Sequence, residues 1–178
     1  RKGFNKAGGD STLSNSNNSP AEYTQKNSNM TVEEYLNRGK ERLNSENYNG
    51  AISDFTNVIR ITPDFFPAYN NRGISKKNLK DISGAISDYT IAIEINPNYA
   101  DAYNNRAILK AELKDNSGAI SDYTIAIEIN PNDADAYYNR GISKGNLKDY
   151  YGAISDYTKA IELNPNYTSA YSNRGISK

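Results

Sequence analysis

Neither cysteine nor histidine occurs anywhere in the chain. Their absence removes disulfides, thiol nucleophiles, Cys/His zinc sites and imidazole acid–base chemistry from the available functions. Long apolar runs are missing as well: mean hydropathy is −0.81, and no stretch is apolar enough to span a bilayer. Charge of one sign is not in excess, since 21 basic and 21 acidic side chains give a formal net charge of zero. Spread as alternating signs, these charges lack the basic footprint of a nucleic-acid binder or of a protein drawn to an anionic membrane. There is no Gly-rich phosphate loop, no Gly-x-Ser-x-Gly elbow and no acid pair outside a repeating register. The expectation is a chain with no catalytic residue, no metal site and no cofactor. Nucleic acid and membrane insertion are not expected among its partners.

The chain opens on Arg1 and not on Met, which predicts a processed, trimmed or cloned segment. Residues 1–30, with Gly8-Gly9 and the run from Ser14 to Pro20, are too polar and too poor in large side chains to offset their ordering entropy. They predict a disordered Asn/Ser/Gly-rich leader. From Thr31 the apolar positions adopt helical spacing, so the boundary of the folded part falls near Met30.

What is present is repetition. Gly-Ala-Ile-Ser-Asp-(Phe/Tyr)-Thr starts at Gly50, Gly84, Gly118 and Gly152, each 34 residues after the last. A period of this length is one helical hairpin, which cannot bury its apolar face alone and must stack on its neighbours. In the first helix of each unit, Tyr35, Tyr69, Tyr103, Tyr137 and Tyr171 stand four residues before Gly39, Gly73, Ala107, Gly141 and Gly175. That spacing predicts that the small residue admits a second helix and that the tyrosine ring covers the gap beside it. The second helix carries Ala51, Phe55 and Val58 and their equivalents, one apolar stripe at spacings of 4 and 3. It stops at Pro63, Pro97, Pro131 or Pro165, and Asn98, Asn132 and Asn166 are expected to start the next helix.

These residues resemble the tetratricopeptide repeat, with tyrosine at the position where that family usually has tryptophan. The resemblance implies an all-α superhelix of antiparallel hairpins, about four and a half repeats long. Its repeats lie near 32–65, 66–99, 100–133 and 134–167, with a single helix over 168–178, so the array occupies 31–178. Fold of this kind hosts many unrelated partners, so function has to be argued from particular residues.

Two departures from the family pattern stand out. Where the repeat usually has leucine, this chain has Arg38, Arg72, Arg106, Arg140 and Arg174. An acid recurs sixteen residues later in every full repeat, at Asp54, Asp88, Asp122 and Asp156. A charge facing other helices needs a partner, so an Arg–Asp pair is predicted, either within each hairpin or to the adjacent one. A catalytic row of carboxylates is the weaker account, because an active site is singular and these acids recur at every step.

The second departure is a row of amides, Asn37, Asn71, Asn105, Asn139 and Asn173, one residue before each arginine. The resemblance places first helices on the concave surface, so these amides face a groove, where each can pair with an extended peptide backbone through donor and acceptor together. The row resembles the asparagine ladder in the superhelix of O-linked N-acetylglucosamine transferases, which implies peptide-backbone binding. Nothing in the chain resembles the transferase domain. The competing account is shared ancestry of duplicated repeats with idle, solvated amides; the most diverged first repeat nonetheless keeps Asn37, Arg38 and Asp54.

Neighbouring positions describe the groove as near-neutral and amide-rich. Leu36, Asn70, Asn104, Tyr138 and Ser172 precede the asparagines, and Tyr138 is a candidate groove contact. Ile74, Ile108, Ile142 and Ile176 follow by three residues, either striping the groove or packing between hairpins. Some tetratricopeptide domains clamp the acidic C-terminus of a chaperone with groove-facing cations. Here the corresponding positions hold Leu36, Asp101, Asn105, Asp135 and Asn139, so no such clamp is expected.

The reading that follows is a protein-interaction module, an adaptor, scaffold or assembly factor that binds an extended peptide segment in an Asn-lined groove. Two alternatives stay open. The stretch from Tyr171 to Lys178 nearly copies 69–76 without an evident polar cap, which fits homo-oligomerisation through the last helix. The array also fits the targeting arm of a larger enzyme whose catalytic domain lies elsewhere.

Overall fold

The computed structural model describes residues 30–177. The leader expected over 1–30 lies, except for Met30, outside the described residues. Among these there are nine α-helices and no strand: α1 Val32–Asn44, α2 Tyr48–Ile61, α3 Phe66–Asn78, α4 Ile82–Ile95, α5 Ala100–Glu112, α6 Asn116–Ile129, α7 Ala134–Asn146, α8 Tyr150–Leu163 and α9 Thr168–Ile176. No helix among the described residues is long and apolar enough to cross a membrane.

Each hairpin turns in three residues because the end of one helix and the start of the next are both locally satisfied. After α3, the backbone N–H of Lys80 donates to Lys77 O and that of Asp81 to Lys76 O, at 2.9 and 3.0 Å. These two bonds close the helix end over a residue in the left-handed region, and Lys80 takes φ of 65° there although it is not glycine. Asp81 then caps α4, its Oδ1 accepting from Gly84 N at 3.0 Å. Asn47, Asp115 and Asp149 do the same for α2, α6 and α8.

Between hairpins the sequence expectation needs correction. Asn98, Asn132 and Asn166 do not begin the next helix. Their backbone N–H groups donate to the side chains of Asn96, Asn130 and Asn164, which precede the prolines, and this folds a tight turn around each Pro. The chain needs one more residue to change direction, so the cap positions fall at Tyr99, Asp133 and Tyr167. Only Asp133 of these three caps with its side chain, accepting from Asp135 N and Ala136 N, both at 3.0 Å.

Within a hairpin the two helices meet ring to glycine. A Cβ placed on Gly39, Gly73 or Gly141 would lie only 2.6–2.7 Å from a ring carbon of Phe55, Tyr89 or Tyr157. The missing side chain is thus the space that the second helix's aromatic fills. Tyr35, Tyr69, Tyr103, Tyr137 and Tyr171 have a different role from the one their spacing implied. Each lies beneath the arginine three residues on, with the guanidinium carbon 5.4–5.7 Å from the ring centroid. Ala51, Ala85, Ala119 and Ala153, all fully buried, keep the two backbones close.

The arginines and aspartates come together inside each hairpin. Arg38, Arg72, Arg106 and Arg140 each donate Nε and Nη2 to both oxygens of Asp54, Asp88, Asp122 and Asp156, at 2.6–3.0 Å. The carboxylates are 0–3% exposed. A second cation completes each site: Arg42, Lys76, Lys110 or Lys144 lies 2.8–2.9 Å from the same aspartate. The remaining guanidinium nitrogen reaches back one hairpin, from Arg72 to Thr56, Arg106 to Thr90, Arg140 to Thr124 and Arg174 to Thr158. One side chain therefore ties two helices of a hairpin and the hairpin before it.

First helices of consecutive hairpins touch, α1 with α3, α3 with α5 and α5 with α7, whereas consecutive second helices are not packed together. The first helices consequently form the inner side of the stack.

Two stability outcomes follow from this packing. Asp88→Ala leaves Arg72 and Lys76 against a buried void, and urea unfolding of the array should show a loss of about 3 kcal/mol; a loss below about 1 kcal/mol contradicts the staple. Tyr89 is fully buried and its hydroxyl has no partner. Leu109 packs against it, where α7 and α9 carry Ser143 and Ser177 at the matching position. Burial raises the Tyr89 phenol far above its ordinary pKa, with the charge of Asp88 adding to the effect. Tyr89→Phe should therefore stabilise the array by about 1 kcal/mol in the same measurement, and a destabilised variant refutes the orphaned hydroxyl.

Candidate functional site

The inner side is built by residues on the first helices that point away from the second. Asn37, Asn71, Asn105, Asn139 and Asn173 lie there, Asn37 exposed and the other four half-buried. They are not equivalent. Asn105 Nδ2 donates to Asn70 Oδ1 at 3.0 Å, and Asn173 Nδ2 donates to the Tyr138 hydroxyl at 3.1 Å. Both acceptors belong to the preceding hairpin, one position before its own row asparagine.

That position decides the state of the next amide. Leu36 offers Asn71 no acceptor. Asn104 could serve Asn139, but its Nδ2 donates to Asp133 Oδ2 at 2.7 Å and its Oδ1 stays buried without a donor. Among the described residues the side chains of Asn37, Asn71 and Asn139 make no hydrogen bond, so three amides face the inner side with donors and acceptor unused. The difference arises from residues outside the row, and its signal in the sequence was the variable residue before each asparagine.

Tyr138 is placed inside the stack more than in open space. Its ring packs on Tyr167 and Tyr157, with centroids 4.8 and 5.8 Å away. Ile74 and Ile108 are half-buried and pack against core clusters containing Tyr89 and Tyr123. Ile142, by contrast, borders an open concavity of about 240 Å³ that also involves Tyr157, Asn173 and Ile176. On α9, Tyr171 is 45% and Ile176 85% exposed, and Gly175 has nothing within 4 Å of where a Cβ would sit.

Electrostatically the inner helices have their cations turned inward. Arg72, Lys76, Arg106, Lys110, Arg140 and Lys144 are all committed to buried aspartates. Lys76, Lys110 and Lys144 escaped sequence reasoning, although their recurrence four residues after each arginine was visible. The acids at the starts of α5 and α7 meet neutral donors instead. Tyr167 OH donates to Asp135 Oδ1 at 2.6 Å. Burial, with the Asp101 charge next in weight, pushes the Tyr99 phenol up to about 12. No group of three acidic side chains among the described residues is close enough to hold a metal ion.

Three family models match the chain, two described as tetratricopeptide repeat at residues 66–99 and 134–167 and one as TPR repeat at 109–148. Together they cover more than half of its length. A comparison with curated proteins gave no match. Among solved structures, MamA 41-end from Desulfovibrio magneticus RS-1 is 20% identical, with a TM-score of 0.76 over 82% of each chain. YrrB, described as a TPR protein with an unusual peptide-binding site, is 17% identical with a TM-score of 0.74, covering 88% of this chain and 80% of its own. The first TPR of Spaghetti (RPAP3), bound to the HSP90 peptide SRMEEVD, is 26% identical with a TM-score of 0.62, covering 63% of this chain and 89% of its own. With family models lying on its hairpins and solved arrays sharing its stacking, the chain belongs to the tetratricopeptide repeat family.

Proposed function

We propose that this array binds an extended segment of another protein along the inner side of its first helices, serving as an adaptor, scaffold or assembly factor. The observation that carries this reading is the set of unused amides at Asn37, Asn71 and Asn139. A side-chain amide presents donor and acceptor in the geometry of a peptide group, so it can hold a backbone irrespective of that segment's side chains. Asn105 and Asn173 contribute their remaining donor and oxygen while bracing the hairpins. YrrB and the first TPR of Spaghetti, both peptide-binding by their descriptions, support a peptide as the class of ligand.

An acidic tail such as SRMEEVD fits this chain poorly. The cations that could meet its carboxylates are bound to Asp88, Asp122 and Asp156, and Asp101 and Asp135 would repel it. Catalysis has no residues assigned to it in this reading. Were the array the targeting arm of a larger enzyme, the inner side would still be its binding surface.

A second reading, self-association through α9, draws on the exposure of Ile176 and Tyr171. Light scattering over a concentration series should then show mass rising with concentration, and a strict monomer throughout rejects it. For the leading reading, 12-residue peptides selected from a random library on the immobilised array supply the probe. The double variant Asn71→Ala/Asn139→Ala should bind them at least tenfold more weakly with an unchanged melting temperature, and SRMEEVD should not bind. Unaltered affinity in the double variant overturns the reading.

A further inference from the structure

The stretch of the inner side between α5 and α7 holds more hydrogen-bond acceptors than donors. Asp101 and Asp135 occupy the second position of their helices and are exposed. Each lies four residues before a row asparagine, on the same helical face as Asn105 or Asn139. Asp133 stands between them, bonded to Asn104 of α5. Among the described residues no lysine or arginine lies within ion-pair distance of any of the three. Arg106, Lys110, Arg140 and Lys144, the cations of these two helices, are committed to Asp122 and Asp156.

Helix ends account for part of this, since an acid in the first turn is favoured by the helix dipole. They do not account for all of it, because α3 has Pro67 and α9 has Ser169 at the same position. An independent observation lies beside the carboxylates. Asn104 Oδ1 is buried without a donor, although in two other hairpins the equivalent side chain accepts from the next row asparagine. Carboxylates, an orphaned amide oxygen and an unused amide at Asn139 together lack donors. The acids are too far apart to hold a metal ion among the described residues, so the missing donor has to be carried on a longer chain.

Resting on the peptide-binding reading above, we infer that the segment bound along α5 and α7 is basic, with lysine or arginine side chains meeting Asp101 and Asp135. Adjacent packed helices lie roughly 8–10 Å apart. A polyproline II segment advances roughly 9 Å in three residues and returns to the same face. Cations three residues apart in an extended segment would therefore fall on consecutive first helices, each beside its row asparagine.

The probe is a fluorescein-labelled 12-residue peptide of repeating Ser-Pro-Lys, compared by anisotropy with the same peptide carrying serine or glutamate in place of lysine. The lysine peptide should bind at least tenfold more tightly than the serine peptide at low salt and lose most of that advantage at high salt. The glutamate peptide should not bind. In Asp101→Asn/Asp135→Asn the lysine advantage should vanish, with the melting curve followed by circular dichroism as the control for folding; Asp101→Asn alone gives the same test with less change to α7. The inference is overturned if the serine or glutamate peptide binds as tightly as the lysine peptide, if lysine-peptide affinity is unchanged in both acid variants, or if no lysine-peptide binding is measurable at millimolar concentration. Asn71→Ala/Asn139→Ala separates the two claims. Binding lost there but indifferent to peptide charge leaves the amide reading intact and refutes the basic preference, whereas binding that depends on the acids and not on the amides does the reverse.

Discussion

A carboxylate sealed between two helices demands cations, and in this array the demand is made once per hairpin. Each of Asp54, Asp88, Asp122 and Asp156 is almost wholly buried. Leaving such a charge unpaired would cost several kcal/mol. The facing helix answers with a forked guanidinium from Arg38, Arg72, Arg106 or Arg140 and a second cation one turn on. Because the guanidinium has more donors than the carboxylate can accept, the surplus reaches a threonine of the preceding hairpin. The tyrosine beneath it shields its flat face. Neutralising one buried charge thus sets the angle within a hairpin and the join between hairpins together.

The surface inherits the consequence. Cations that would otherwise project toward a ligand are withdrawn into the staples, leaving amides and carboxylates on the inner side. A chain with a formal net charge of zero therefore need not have a neutral groove. The sequence-based picture of a near-neutral, amide-rich groove holds only if every ion counts equally, and burial counts them unequally. Around α5 and α7 the uncompensated groups are Asp101, Asp133 and Asp135 together with the oxygen of Asn104.

Hydrogen bonding between neighbouring repeats divides the asparagine row in a way that its recurrence conceals. Asn105 and Asn173 brace against Asn70 and Tyr138, whereas Asn71 faces Leu36 and is left without a partner. Duplication preserved the row, and drift at the position before it decided which members remain available. The same kind of mismatch explains Tyr89, whose hydroxyl meets Leu109 where sister repeats have a serine.

The period of 34 residues, the glycines and alanines at helical spacing and the prolines between hairpins were enough to determine an all-α stack of hairpins, because each is a local constraint repeated without exception. The sixteen-residue offset from arginine to aspartate likewise identified which charges needed each other. Which oxygen meets which nitrogen, that glycine makes room for the second helix's ring while the first helix's tyrosine lies under an arginine, and that the turns are folded by Asn96, Asn130 and Asn164 were decided only by the tertiary structure. The reason is physical: periodicity names the face on which a side chain stands, but a hydrogen bond also depends on what the adjacent hairpin presents within 3 Å, and that is a property of the packed array.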